Sequence, residues 1–319
     1  MYCNSTFYLP PGFPLLIIES GVKMSYLVMN RGVLRILFLS VLFFMSTLVS
    51  VPAGGSSEGR SSEGEFGKSQ GSPEETVQGS RSGRFDSPLP IPPLLEGSRE
   101  DGVMRFELRV QPGSREFYPG AATPTLGYNG SYLGPTILVG RGDSVRIDVD
   151  NRLAEATTVH WHGAHVPAKM DGGPHQQVAA GSTWTAEFSI QQQAATLWYH
   201  PHLIPTTAEQ VYRGLAGMFI IEDENSDLLP IPKEYGKNDI PVILQERRFQ
   251  RDGRFSYSPS MPDVMHGYAG NAILANGALR PHLEVGREVI RLRLLNGSNS
   301  SVLRVRLEEQ RPFLQIASD

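Results

Sequence analysis

Short runs that alternate apolar and polar side chains recur along the last two thirds of the chain. Val103-Met104-Arg105-Phe106-Glu107-Leu108-Arg109-Val110 has the period of two expected of a strand with one face buried. Thr136–Val139, Ser144–Val149, Thr158–His162, Trp184–Ile190, Thr196–His200 and Ala216–Ile221 follow at close intervals, separated by turn-forming residues. Many short strands with turns between them predict an all-β Greek-key sandwich or barrel over residues 101–224. Residues 225–239, with Pro230 and Pro232, read as a linker. A second β unit opens with Ile240–Gln245 and includes Val289–Asn296. At 240–319 it is shorter than the ~100 residues of a sandwich domain, so it is expected to be truncated.

The beginning of the chain follows a different pattern. Arg31 and Arg35 precede an apolar run from Ile36 to Val51, and Pro52-Ala53-Gly54 follows. Basic, apolar, then small is the order of an export signal, so residues 1–53 are expected to direct the protein to the periplasm or the outside. The run is also near spanning length, which leaves a membrane tether through residues 33–51 as the alternative. Met24 and Met29 are further candidate starts. Residues 54–100 are dominated by Gly, Ser, Glu and Pro, and predict a disordered linker.

Composition narrows the class. Forty per cent hydrophobic residues with 33 Gly and 24 Pro suit a globular β chain. A formal charge of −4 provides no basic footprint, which argues against nucleic acid as a partner. Cys3 is the single cysteine, so no disulfide can close within the chain.

The chemistry is concentrated in histidine. Four of eight histidines form two His-X-His pairs, His160-Trp161-His162 and His200-Pro201-His202. On a strand, residues two apart project from one face, so each pair aims two imidazoles the same way. Two such strands side by side would surround one cavity with four imidazoles. That set suits copper, zinc, iron or nickel and not calcium or magnesium, and spacing alone leaves the choice open. His165, His175, His266 and His282 fit no such pair and read as loop residues or as residues behind the cluster that do not themselves hold a metal. Met261 and Met265 read as loop residues that fill core or surface. Asp171-Gly172-Gly173 has the composition of a turn.

In order and context, several strings resemble the multicopper oxidases, above all the bacterial copper efflux oxidase and laccase-like group. They are Thr158-Val159-His160-Trp161-His162-Gly163, Met170-Asp171-Gly172-Gly173-Pro174, Leu197-Trp198-Tyr199-His200-Pro201-His202 and Gly214-Leu215-Ala216-Gly217-Met218-Phe219. Leu274-Ala275-Asn276-Gly277 and Arg291-Leu292-Arg293-Leu294-Leu295-Asn296 resemble the family's second domain. The resemblance covers roughly residues 103–319. It implies cupredoxin-like domains, one complete and one partial. It also implies copper: a type 2 ion held through His160, and a type 3 pair held through His162, His200 and His202. Asp171 then resembles the acid that relays protons during reduction of dioxygen to water, at the expense of a phenol or cuprous ion.

The family's blue, type 1 copper needs a Cys ligand, and nothing here after His202 resembles that motif. The expectation is therefore the N-terminal portion of an oxidase, inactive without its C-terminal domain. Two alternatives are an exported copper or zinc binding module, and a non-enzymatic cupredoxin scaffold like the family's cell-division member, against which the intact His-X-His pairs argue.

Overall fold

The computed structural model describes residues 87–307 and 312–318, together with the backbone of four strands within residues 5–39. The alternating segments form the expected strands with small shifts at their ends. In the first unit, Gly97–Glu100, Val103–Glu116, Ser144–Asn151 and Thr183–Ser189 make one sheet, with Ala122–Tyr128 paired to Val103–Glu116. Ile137–Gly140, Gly217–Glu222, Ala195–His200 and His160–His162 make the other. Each layer turns one face inward, and Leu108, Ile147, Trp161, Tyr199 and Phe219 interlock between them without solvent exposure. Among the described residues the two sheets do not close on one another, although Pro93–Leu95 bonds to Thr136 at the head of Ile137–Gly140. The fold is thus a two-layer sandwich, and the closed-barrel form of the expectation is not adopted.

The second unit differs from the expectation of a domain built from residues 240–319 alone. Asp239–Arg247 and Ile290–Asn296 pair in parallel at the centre of a six-stranded sheet. Ser5–Leu9 adds to the free edge of Ile290–Asn296 and in turn carries Leu314–Ser318. A second sheet runs in the order His282–Leu283, Val33–Leu39, Lys23–Asn30, Leu15–Ser20 and Leu303–Leu307. An open edge offers unpaired N–H and C=O groups that an apolar segment can satisfy, and these N-terminal strands do so. Val33–Leu39, the start of the expected export segment and tether, is therefore described as a strand; the rest of that segment, residues 40–53, lies outside the described residues. Among the described residues, no helix is long and apolar enough to cross a membrane.

The expected disordered linker at 54–100 is corrected at its end. Residues 87–100 are built into the fold: Leu89 is buried against the second unit, and Gly97–Glu100 forms an edge strand on the first. Leu89, Ile91 and Leu95 give this stretch apolar surface to bury, which the Gly/Ser-rich part lacks. Residues 54–86 lie outside the described residues. Within the expected linker at 225–239, Glu224–Leu228 is a short helix closed by a capping box between Asp223 and Ser226. Met261–His266 is likewise a capped helix rather than a loop, with Met261 and Met265 exposed on it.

The two units share a third apolar cluster. Tyr132, Trp198 and Tyr212 from the first pack with Phe249, Phe255 and Leu295 from the second. Polar bonds reinforce the seam. Arg293 is fully buried, paired with Asp239 at 2.8 Å, and donates to Thr196 Oγ1 at 2.8 Å.

Candidate metal centre

Pairing of the two His-X-His segments follows from the period of two. His160–His162 runs antiparallel to Ala195–His200, with His160 opposite His200, Trp161 opposite Tyr199 and His162 opposite Trp198. Trp161 and Tyr199 point into the sandwich, where both are fully buried. The histidines and Trp198 are therefore on the other face. Tyr199 is pinned by its hydroxyl, which donates to Pro135 O at 2.7 Å. Gly134 and Gly217 crowd the same ring, since a Cβ at either would stand 2.3 Å from it.

On the outer face the imidazoles converge. Ring centroids of His160 lie 5.6 Å from His162, 5.4 Å from His200 and 5.1 Å from His202. Ring nitrogens of His160, His162 and His200 fall within 4.8 Å of one another, a group that does not include His202. Trp198 stacks on His200 with centroids 3.9 Å apart and so forms one wall. His165, His175 and His266 are exposed and lie outside the cluster, His266 at the end of the helix Met261–His266, and His282 lies in the second unit.

Proton positions follow from the partners. A carbonyl oxygen only accepts, so His160 donates from Nδ1 to Asp171 O at 2.9 Å, and His200 donates from Nδ1 to Pro201 O at 2.7 Å. Each is left with a lone pair on Nε2, aimed into the cluster. His162 Nδ1 faces His200 Nε2 at 3.2 Å. Two imidazole nitrogens sharing one ion at ~2 Å each stand about 3 Å apart, so this separation suits a common metal. Burial pushes His200 well below the usual imidazole range, and the three neighbouring imidazoles push the same way. A neutral ring with a free lone pair is the form a metal needs. Four imidazoles with no cysteine or convergent carboxylate cage are a borderline-soft donor set, which fits copper or zinc.

Asp171 lies beside His160. Besides the carbonyl contact, its carboxylate Oδ2 is 3.3 Å from His160 Nδ1, and the side chain remains about one third exposed. The Asp171 carbonyl also accepts from Trp161 N–H at 3.3 Å, and the Trp161 indole N–H donates to Met170 O at 3.0 Å. Gly172 permits this return of the loop onto the strand. Its φ is +72°, and a Cβ there would fall 1.6 Å from Val159 O. Asp171 is a bend that ends the 3₁₀ helix Ala168–Met170, ahead of a turn at 174–175, and is also a contact of the histidine cluster.

Residues 109–226 match the family model described as multicopper oxidase. This part of the chain is a multicopper oxidase domain. The chain is 44% identical over 230 residues to multicopper oxidase mco of Staphylococcus haemolyticus, which covers 72% of this chain and 50% of that protein. It is 42% identical over 232 residues to the cell division protein FtsP of Escherichia coli, with 73% and 48% covered. A multi-copper oxidase from Pediococcus acidilactici superposes with a TM-score of 0.62 at 37% identity, covering 68% of this chain and 46% of its own. The laccase-like multi-copper oxidase CueO from Ochrobactrum sp. gives 0.60 at 40% identity, covering 66% and 47%. The chain spans about half the length of the curated relatives it matches.

Sequence reasoning did not single out Thr158 or Gln210. Thr158 Oγ1 accepts from the His202 N–H at 2.6 Å, and Gln210 braces the adjoining Thr157 at 2.8 Å. The available signal was the period of two, since Thr158 precedes His160 and His162 by two and four residues, although the strand itself begins only at His160.

Proposed function

We propose that His160, His162, His200 and His202 are copper ligands forming one half of a trinuclear centre, in a longer oxidase that takes electrons from a phenol or cuprous ion and reduces dioxygen to water. His160 is assigned to the type 2 ion, and His162, His200 and His202 to the type 3 pair. The observation that carries this reading is the convergence of three imidazoles with His202 beside them, His160 and His200 being oriented by backbone carbonyls so that Nε2 is free. Copper, when bound, supplies the one-electron steps that connect the donor to dioxygen. The residues of this chain bind and shield it: Trp198 covers His200, and Trp161 and Tyr199 fix the strand pair beneath. Asp171 is proposed to move protons, because its carboxylate touches His160 while reaching solvent. The basic, apolar, small order of residues 31–53 supports export as part of the same proposal.

A second reading has one observation behind it. The cell division protein FtsP is as similar to this chain as the named oxidases are, so a scaffold role within the family is the alternative. The two separate on metal content. Purified chain reconstituted with copper, dialysed and analysed by elemental mass spectrometry should retain copper in preference to zinc, and the full-length protein should consume oxygen with a phenolic donor. A chain that retains no copper would leave the scaffold reading standing.

A further inference from the structure

His202 differs from its partners in how it is held. His160 and His200 have their rings fixed by backbone carbonyls, whereas Nδ1 of His202 is buried with no hydrogen-bond partner. The strand ladder stops at His200, so His202 also lies beyond regular pairing. Its fixed point is the backbone: the His202 N–H donates to Thr158 Oγ1 at 2.6 Å, across 44 residues of sequence. Thr158 is fully buried and cannot exchange this bond for water.

Thr158 is itself held from behind. Thr157 Oγ1 donates to Gln210 Oε1 at 2.8 Å, and Gln210 Nε2 donates to Ala156 O at 3.0 Å and Glu155 Oε1 at 3.2 Å. Thr157 and Gln210 are both buried. Gln210 belongs to the helix Thr207–Arg213, which follows His202 directly and whose Thr207 N–H returns to Leu203 O at 2.7 Å. The segment before the first His-X-His pair and the segment after the second are thereby tied together by polar bonds, with Thr157, Thr158 and Gln210 buried and His202 N–H at one end.

We propose that Thr158 is a positioning residue for His202, with Gln210 locking the Thr157-Thr158 backbone, so that metal affinity depends on a hydroxyl that touches no metal. This rests on His202 being a ligand. Outer partners that orient a ligating imidazole through its ring are worth about 10–100-fold in metal affinity, and a bond to the ligand's backbone is expected at the lower end of that range.

The test titrates cupric ion into the purified chain, reading affinity by chelator competition and nitrogen coordination by electron paramagnetic resonance. Thr158→Val should weaken binding by about tenfold or more and lose the same nitrogen coupling as His202→Ala, whereas Thr158→Ser should recover most of the affinity. The double variant Thr158→Val with His202→Ala should bind no more weakly than His202→Ala alone. If Thr158→Val does not fold, Gln210→Leu should shift affinity in the same direction by a smaller factor. Unchanged affinity and spectrum in Thr158→Val or, where that variant does not fold, in Gln210→Leu, beside a weakened His202→Ala, would overturn the positioning role. An unchanged His202→Ala would instead remove the ligand reading, and this proposal with it.

Discussion

Two carbonyl oxygens, of Asp171 and Pro201, decide which nitrogen of His160 and His200 carries the proton. Replacing His200 by Ala removes a buried lone pair and the ring that Trp198 stacks on. Copper retained after dialysis should fall relative to the parent protein, as measured by elemental analysis. Asp171→Asn keeps the carbonyl contact and removes the carboxylate. Copper content should therefore hold while oxygen consumption by the full-length protein drops about a hundredfold, the scale of general acid catalysis. Gly172→Ala places a Cβ on Val159 O at a positive φ, and should cost about 2 kcal/mol or more in urea unfolding. The four histidines were legible in the sequence because each pair is local. The tightness at Gly172 was not, because it arises from a strand thirteen residues earlier.

At the scale of elements, the alternating runs located the first unit's strands to within a few residues, since one buried face imposes its period directly. Helices were the gap. Thr207–Arg213 is short and buries Gln210, Val211 and Tyr212, leaving too little periodicity to detect beside a strong strand pattern. Glu224–Leu228 is held by its cap: Asp223 Oδ1 accepts from Ser226 N–H at 2.7 Å, and Oδ2 accepts from Ala194 N–H at 3.0 Å. These backbone N–H bonds hold the Asp223 carboxyl below the usual range. Its stability contribution is accordingly present above the unfolded carboxyl value and is lost as pH falls through the lower folded one. Asp223→Ala should destabilise the chain by about 1 kcal/mol, read as a drop in the urea midpoint at neutral pH that shrinks in strong acid.

Across the whole molecule, the seam makes the first unit dependent on the second. Trp198, which walls the histidine cluster, lies in the same apolar cluster as Phe255 and Leu295. Residues 101–224 produced alone should expose that face and bind a hydrophobic dye, where the full chain does not. Arg293→Ala leaves Thr196 and Asp239 short of a buried partner and should cost about 3 kcal/mol by urea unfolding. This dependence was invisible in the sequence. Nothing local marks the apolar side chains between Phe249 and Tyr268 as facing a neighbouring unit. The N-terminal strands were missed for a related reason, because a run such as Val33–Leu39 has the same apolar character in an export segment as in a sheet.

The register that sets His160 opposite His200 also sets Trp161 opposite Tyr199. A slip of the strand His160–His162 by one residue would turn its two imidazoles into the sandwich and Trp161 out to water. The greasy interior thus proofreads the histidine set: aromatic packing favours the register that gathers the imidazoles on one face, so any ion they hold would meet a receptacle already shaped for it.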